Sequence, residues 1–95
     1  MNKQFILIVY DISVDRRRTK LHDVLLDFGT PVQYSVFECC LEPKELSSMK
    51  KAIRKIIRPK NDKVRYYYLC KDCVGKTEIT SGVEVLKEDP QALVV

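Results

Sequence analysis

An acidic residue and a group of arginines near the N-terminus could together do chemistry on a phosphate ester. Asp11 directly follows the apolar run at positions 5–10, and Asp15 comes shortly before Arg17 and Arg18. A carboxylate where a strand gives way to a loop is a usual position for a functional side chain. Mg²⁺ and Mn²⁺ prefer oxygen ligands and need only one or two carboxylates beside water and phosphate. The pattern indicates a metal or phosphate site with Asp11 as the ligand.

Each acid also has a structural interpretation. Asp11 could end its strand through a backbone hydrogen bond, and the local pattern alone slightly favours this. Asp15 is predicted to cap the following helix, since a side-chain oxygen there accepts from free backbone amides. Arg17, Arg18 and Lys20 could be plain surface charge. Cations in the first turn oppose the helix dipole, however, and this mismatch indicates a role in holding phosphate.

Composition indicates one small globular domain. The chain has 95 residues, of which 45% are apolar, so we expect residues 1–95 to form a single domain around one core. The apolar run at 5–10 is too short to span a bilayer, and the N-terminus lacks the pattern of a secretory signal. We therefore expect a cytoplasmic protein.

Positive charge is concentrated in one part of the chain. The net charge is +4, from 17 basic and 13 acidic side chains. Within positions 50–65 the only acid is Asp62, and the cations are Lys50, Lys51, Arg54, Lys55, Arg58, Lys60, Lys63 and Arg65. Such clustering suits a polyanion such as nucleic acid, and Lys51, Arg54, Lys55 and Arg58 are the candidate contacts. A solvated helix face is an equally good interpretation of the charge alone.

The four cysteines occur as an adjacent pair and a spaced pair. Cys39 and Cys40 are neighbours, whereas Cys70 and Cys73 have the two-residue gap of a zinc-binding hook. Without a secretory signal we expect reduced thiols. Packed thiols are favoured over a structural zinc site, which stays open.

The hydrophobic pattern predicts alternating strands and helices. We predict a strand at 3–11, a helix after Asp15 that Gly29 and Pro31 stop, and two strands within 32–41 with a break at 34–35. Pro43 begins a second helix and Pro59 ends it. Strands at 64–70 and 77–85 follow.

This order, βαββαβ with an additional C-terminal strand, predicts an α+β ferredoxin-like fold. Both helices would cover one face of the sheet, yet the first strand is apolar on both faces. A second copy related by a two-fold axis would cover the other face. In the usual 4-1-3-2 strand order, Cys39, Cys40 and Cys70 would lie at the opposite end of the sheet from Asp11. A two-fold axis near the strand tips would let two Asp11 carboxylates share one metal and support phosphodiester cleavage.

Two segments resemble a known family. Tyr10-Asp11-Ile12, with Asp15 and Arg17-Arg18 after it, and the segment Gln33-Tyr34-Ser35-Val36-Phe37-Glu38 closely resemble CRISPR-associated protein two. This small protein acts in the adaptation stage of CRISPR immunity. The specific match covers the first forty residues, while size and element order extend it over the rest.

The resemblance implies a homodimer whose final strand reaches the partner's sheet. It also implies a metal-dependent endonuclease acting on single-stranded RNA or double-stranded DNA, with Asp11 as catalytic metal ligand. Tyr10, Arg18 and Phe37 would contact nucleic acid, although core packing is favoured for Phe37. Lys20 stands where some relatives carry Arg. The dimer would also bridge dimers of the CRISPR integrase, CRISPR-associated protein one.

Two functions from different classes follow. The first is a Mg²⁺-dependent endonuclease, and the second is a non-catalytic DNA-binding adaptor of the spacer-integration complex. The basic 50–65 segment supports both, whereas Asp11 with its flanking cations is specific to the first. An RNA-binding ferredoxin-like module ranks far behind, because the aromatic sequences of that class are missing. Neither a 2′-OH reader nor a base-reading motif is visible, so RNA and DNA both remain candidate substrates.

Overall fold

The computed structural model describes residues 3–78, which form an antiparallel sheet with helices packed against one face. The elements are β1 (Gln4–Asp11), α1 (Asp15–Leu25), β2 (Gly29–Gln33), β3 (Val36–Leu41), α2 (Pro43–Ile56), β4 (Lys63–Leu69) and a short α3 (Lys71–Gly75). The order through β4 is βαββαβ. The predicted α+β, ferredoxin-like arrangement is therefore confirmed.

The sheet has the strand order β2-β3-β1-β4, with β1 antiparallel to both of its neighbours. At one end of β1, Asp11 is paired with Lys63 of β4. At the other end, Phe5 is paired with Cys40 on one side and with Leu69 on the other. The predicted separation of Asp11 from the thiols is therefore confirmed.

The core lies between the sheet and the helices. Ile6, Ile8 and Tyr10 of β1 are buried on the helix side, whereas Leu7 and Val9 point to the other face and are only half-buried. This contrast follows from the two-residue period of a strand. The main buried partners from the other elements are Leu21, Leu25, Phe37, Cys39, Met49 and Ile53.

The start of α1 differs from the prediction. The N-cap position is occupied by Val14, whose side chain makes no capping hydrogen bond, and Asp15 is the first helical residue. The predicted cap role of Asp15 is wrong because its carboxylate is instead paired with Arg18, one turn later. Helix α2 begins at Pro43 as predicted, and Glu45 accepts a 2.9 Å hydrogen bond from the Glu42 backbone N–H.

The connection from α1 to β3 also differs. The helix ends at Leu25, and Gly29 and Pro31 belong to β2, so these two residues do not themselves stop the helix. Gly29 is needed for packing: a Cβ there would collide with the Glu38 carbonyl oxygen and lie 2.5 Å from the Cys39 Sγ. The predicted break between β2 and β3 is confirmed, and Ser35 adopts a left-handed φ of 62° in it.

Helix α3 was not predicted, because a five-residue helix is too short for its periodicity to be read. The strand predicted at 77–85 lies almost entirely outside the described residues, as does the tail at 93–95. Within residues 3–78, no helix combines the length and apolar character needed to cross a bilayer.

Candidate metal and nucleic-acid site

The Asp11 carboxylate is available for a ligand. Asp11 is the last residue of β1 and is exposed, and no hydrogen bond or ion pair engages its side chain within residues 3–78. The preceding β1 residues are fixed between two strands, so the carboxylate projects from a rigid frame into solvent. An unpaired carboxylate in this position fits a hard cation, which takes oxygen ligands and retains several waters.

One protomer supplies a single carboxylate to such a cation. The described part of the chain has no group of three or more His, Cys, Asp or Glu side chains that could together hold a metal ion. A second copy of the chain would supply a second Asp11 carboxylate to the same ion. This is the shared site that the sequence predicts.

A buried ionic network supports the loop that follows Asp11. Asp62 is 4% exposed and accepts hydrogen bonds from Arg17, at 2.8 and 3.1 Å, and from the Arg58 backbone N–H at 2.8 Å. The Ser13 backbone N–H donates to the same carboxylate at 3.4 Å. The bond from Arg17 and these backbone donors favour the ionised form and lower the pKa of Asp62 to about 2, although burial opposes the shift.

This network gives Arg17 a structural contact that the sequence did not predict. The guanidinium makes two bonds to a buried carboxylate, and its side chain is only 16% exposed. The hydrogen bond with Asp62 also raises the pKa of Arg17. Arg17 therefore ties α1 to the loop between α2 and β4, and little of its guanidinium faces a ligand. Asp62 was recognisable in the sequence only as the single acid in a basic segment.

Arg18 is held differently. One guanidinium nitrogen donates to the Ile12 carbonyl oxygen at 2.9 Å, and another is paired with Asp15. Its side chain is 40% exposed and lines a cleft of about 480 Å³ together with Tyr10, Thr19, His22 and the β2–β3 turn. Because the backbone contact fixes Arg18 to the residue directly after Asp11, its free surface lies near the candidate ligand.

The aromatic residues predicted to contact nucleic acid are buried. Phe37 is 0% exposed, with its ring centroid 5.2 Å from that of His22 and 6.4 Å from that of Tyr10. Tyr10 is 4% exposed, and burial raises its pKa. Stacking of Phe37 on a base does not fit this arrangement because the ring has no free face; core packing, the favoured interpretation, does. The exposed aromatic of this end is Tyr34, in the β2–β3 turn.

The remaining predicted contacts are exposed cations on the two helices. Lys20 lies on the outer face of α1, and Lys51, Arg54 and Lys55 are exposed on α2, with Arg58 just after it. Lys50, Arg54, Lys63 and Arg65 also line a groove of about 540 Å³ between α2 and β4. The Lys50 ammonium lies 5.3 Å from the ring centroid of Tyr66 and 5.5 Å from that of Tyr68. This basic groove is continuous with the Asp62 network.

The thiols are divided between two environments. Cys39 is buried, and desolvation raises its pKa to about 12. Cys70 and Cys73 are exposed, with their sulfurs 3.4 Å apart. Packing therefore describes Cys39 but is wrong for the spaced pair, because β4 ends at Leu69 and the following turn carries both side chains into solvent.

Comparison with known proteins agrees with the fold and identifies the family. The model of a family described as CRISPR associated protein Cas2 matches residues 4–77. A protein of Synechocystis sp. named CRISPR-associated endoribonuclease Cas2 3 is 38% identical over 89 residues, which cover 94% of this chain and 96% of that protein.

Two solved structures are similar as well. The crystal structure of Streptococcus pyogenes Cas2 has a TM-score of 0.71 and 30% identity, covering 81% of this chain and 99% of that one. A chain of a partial Cas6-RT-Cas1–Cas2 complex has a TM-score of 0.73 and 28% identity, covering 88% and 92%. The similarity thus spans the strand that ends in Asp11, both long helices and β4.

Proposed function

The chain belongs to the CRISPR associated protein Cas2 family, and on that premise we propose that it is a Mg²⁺-dependent endonuclease of CRISPR adaptation. The observation that carries this proposal is the exposed Asp11 carboxylate, without a partner in residues 3–78, at the rigid end of β1. A relative that matches nearly the whole chain is named an endoribonuclease, which makes single-stranded RNA the first substrate to test and double-stranded DNA the second.

The proposed active form is a homodimer. The helices cover the Ile6, Ile8 and Tyr10 face of β1, while Leu7 and Val9 remain half-buried on the other face. A second copy would cover this apolar surface and would bring a second Asp11 carboxylate to the site. Two-fold symmetry supplies two equal carboxylate ligands from one residue.

The side chains have separable roles in this proposal. Asp11 would hold Mg²⁺, or Mn²⁺ in its place, and the ion would supply neutralisation of charge at the reacting phosphate. Arg18, Lys20 and the α2 cations would bind neighbouring phosphates of the strand. Tyr34, which is fully exposed, offers a ring on which a base can stack. Arg17 and Asp62 would position the loop after Asp11.

A second candidate function is supported by a specific comparison. A similar chain is part of a complex named for Cas1 and Cas2. The dimer could therefore bridge dimers of the CRISPR integrase Cas1 as a DNA-binding adaptor, using the cations of α1 and α2 without cleavage. Its compartment stays the one predicted from the sequence, the cytoplasm.

The experiment that separates these functions is the substitution Asp11→Ala, assayed for cleavage and for spacer acquisition. We expect Mg²⁺-dependent cleavage to fall by more than about 100-fold. Mutation of a residue that only hydrogen-bonds to a metal ligand already lowers metal affinity or activity by about 10- to 100-fold, and Asp11 is the proposed ligand itself. Asp27→Asn, which alters an exposed carboxylate in the loop before β2, is the matched control and should retain activity. Cleavage by Asp11→Ala at the wild-type rate would show that the proposed metal site is wrong.

Mixed dimers test whether the site is shared. In a tandem dimer, two copies of the chain are joined in one polypeptide, and Asp11→Ala in one copy leaves one of the two Asp11 carboxylates. A shared site predicts that the cleavage rate then falls almost as far as it does with Asp11→Ala in both copies. Cleavage at half the wild-type rate would indicate two independent sites. Normal spacer acquisition by Asp11→Ala would assign the adaptor role to the same dimer and make cleavage dispensable for it.

A further inference from the structure

Two exposed cysteines lie together at the end of the sheet opposite Asp11. Cys70 follows β4 directly, Cys73 lies in the first turn of α3, and their sulfur atoms are 3.4 Å apart. We propose that Cys70 and Cys73 form a dithiol–disulfide site that low-molecular-weight disulfides oxidise reversibly. The proposal is independent of the nuclease function, since along β4 the two ends lie roughly 20 Å apart at 3.3 Å per residue.

The local backbone already brings the two thiols to reacting distance. The Cys73 backbone N–H donates a 3.4 Å hydrogen bond to the Cys70 Sγ, which fixes the Cys70 side chain over the first turn of α3. A disulfide bond is about 2.0 Å long, so the sulfurs need to approach by little more than 1 Å. Because both side chains are exposed, this approach displaces no residue of the core.

The two thiols are not equivalent, and this assigns their order of reaction. The Cys73 backbone N–H donates to the Cys70 Sγ, and this bond, followed by the pairing of the two thiols, lowers the pKa of Cys70, whereas the pairing raises the pKa of Cys73. The thiolate is the nucleophile in thiol–disulfide exchange. Cys70 is therefore the attacking residue, and Cys73 is the resolving one.

The reaction proceeds in two balanced exchanges. The Cys70 thiolate attacks one sulfur of the small disulfide, whose S–S bond breaks, and a mixed disulfide and one small thiolate result. Cys73 then loses its proton to solvent and attacks the Cys70 sulfur, which releases the second small thiolate. The two protein thiols are oxidised to one disulfide, and the small disulfide is reduced to two thiols.

The other thiols and a metal site fit the structure less well. Cys39 is buried and its pKa is raised to about 12, so it is neither accessible nor ionised. A structural zinc site takes four ligands, and Cys70 and Cys73 supply two, with no third metal-binding side chain grouped with them within residues 3–78. Oxidation of the pair needs no further ligand.

The test uses the full chain equilibrated in buffers of varied reduced-to-oxidised glutathione ratio, with thiols then alkylated and counted by mass spectrometry. We expect Cys70 and Cys73 to lose their reactivity together, with a mass loss of about two hydrogens, and reduction to restore it. Cys73→Ser should accumulate a mixed disulfide at Cys70, because the resolving thiol is missing. Cys70→Ser should form a mixed disulfide at Cys73 several-fold more slowly, because the pKa of the Cys73 thiol is raised. Cys40→Ser is the matched control and should oxidise like the wild type.

Two results would overturn the proposal. One is independent alkylation of Cys70 and Cys73 at every glutathione ratio, which would show that the pair does not close. The other is a reduced chain that binds zinc at a fixed molar ratio of metal to protein and whose two thiols react only after the metal has been removed. That result would make the pair part of a metal site.

Discussion

The two ends of the sheet hold their reactive groups in different ways. At the Asp11 end, a buried carboxylate, Asp62, connects α1, the loop after β1 and the loop after α2. At the thiol end, Cys70 and Cys73 are brought together by contacts within four residues of chain. The first arrangement depends on tertiary structure and the second on local backbone. Damage to packing should therefore affect the two ends unequally.

The largest effect on stability is expected from Gly29→Ala at the thiol end. The added Cβ would collide with the Glu38 backbone and the Cys39 Sγ, and overpacking of this kind costs about 3 kcal/mol of unfolding free energy. Urea denaturation measures the loss. The control is Gly75→Ala, where a Cβ meets nothing within 4 Å and should leave stability unchanged or slightly raised.

Gly29→Ala also tests whether the ends are independent. Its folded fraction should cleave at the wild-type rate, because the Asp62 network is at the other end of the sheet. A large fall in the cleavage rate per folded molecule would mean that strain at β2 is transmitted to Asp11. The two ends of the sheet would then not be independent.

The next largest effect is expected from Asp62→Asn at the Asp11 end. The amide keeps the volume but not the charge, and it has one acceptor oxygen in place of two, so Arg17 loses its ionic partner and some of the donors to Asp62 lose their acceptor. We expect a loss of about 2 kcal/mol in unfolding free energy, the cost of leaving buried polar groups poorly paired. Cleavage per folded molecule should also fall, because the loop after Asp11 loosens. Asp23→Asn, on the exposed face of α1, should change neither quantity. Wild-type stability in Asp62→Asn would show that the network is not structural.

The same network predicts a pH dependence. The pKa of Asp62 is lowered from 3.8 to about 2 in the folded chain, so the folded state favours the ionised carboxylate. Its contribution to stability is complete above pH 3.8 and is lost as the pH falls from 3.8 towards 2. Melting temperatures of wild type and Asp62→Asn should therefore converge in this range. A difference that stays constant down to pH 2 would contradict the assigned pKa.

Most of the fold was predictable from the sequence because it follows from local patterns. Periodicity located β1 and both long helices, and Pro43 marked the start of α2. The position of Asp11 at the exposed end of a strand was predictable because a strand's end and a charge are both visible in the sequence. The strand order and the position of Cys39 at the end of the sheet opposite Asp11 then followed from the ferredoxin-like topology.

Two of the parts that were missed, the role of Arg17 and the exposure of Tyr34, depend on how the chain folds beyond the local pattern. The bond from Arg17 to Asp62 joins residues 45 positions apart, and no local pattern reports it. Arg17 was thus grouped with Arg18 as a phosphate contact, although only Arg18 keeps a substantial exposed surface. Likewise, Tyr34 and Phe37 belong to one segment rich in β-branched and aromatic residues, and only the turn at Ser35 decides which ring is exposed.

The smallest effect is expected from Asp15→Ala, and it distinguishes a cap from a surface ion pair. Loss of an N-cap side chain would lower the unfolding free energy by about 1 kcal/mol. Asp15, however, is the first helical residue, and its ion pair with Arg18 is exposed to solvent and adds little stability. We expect the melting temperature to fall by less than about 3 °C.

Nucleic-acid binding by the same variant should instead tighten. The substitution removes a competing carboxylate from Arg18, which stays fixed to the Ile12 carbonyl, and the slope of affinity against salt should become steeper. Arg18→Ala combined with Asp15→Ala is the control, because it removes the cation that the single variant frees. Equal binding by the single and double variants would exclude Arg18 from the phosphate contacts. The exposed cations of α2 would then be the groups that hold the nucleic-acid strand near Asp11.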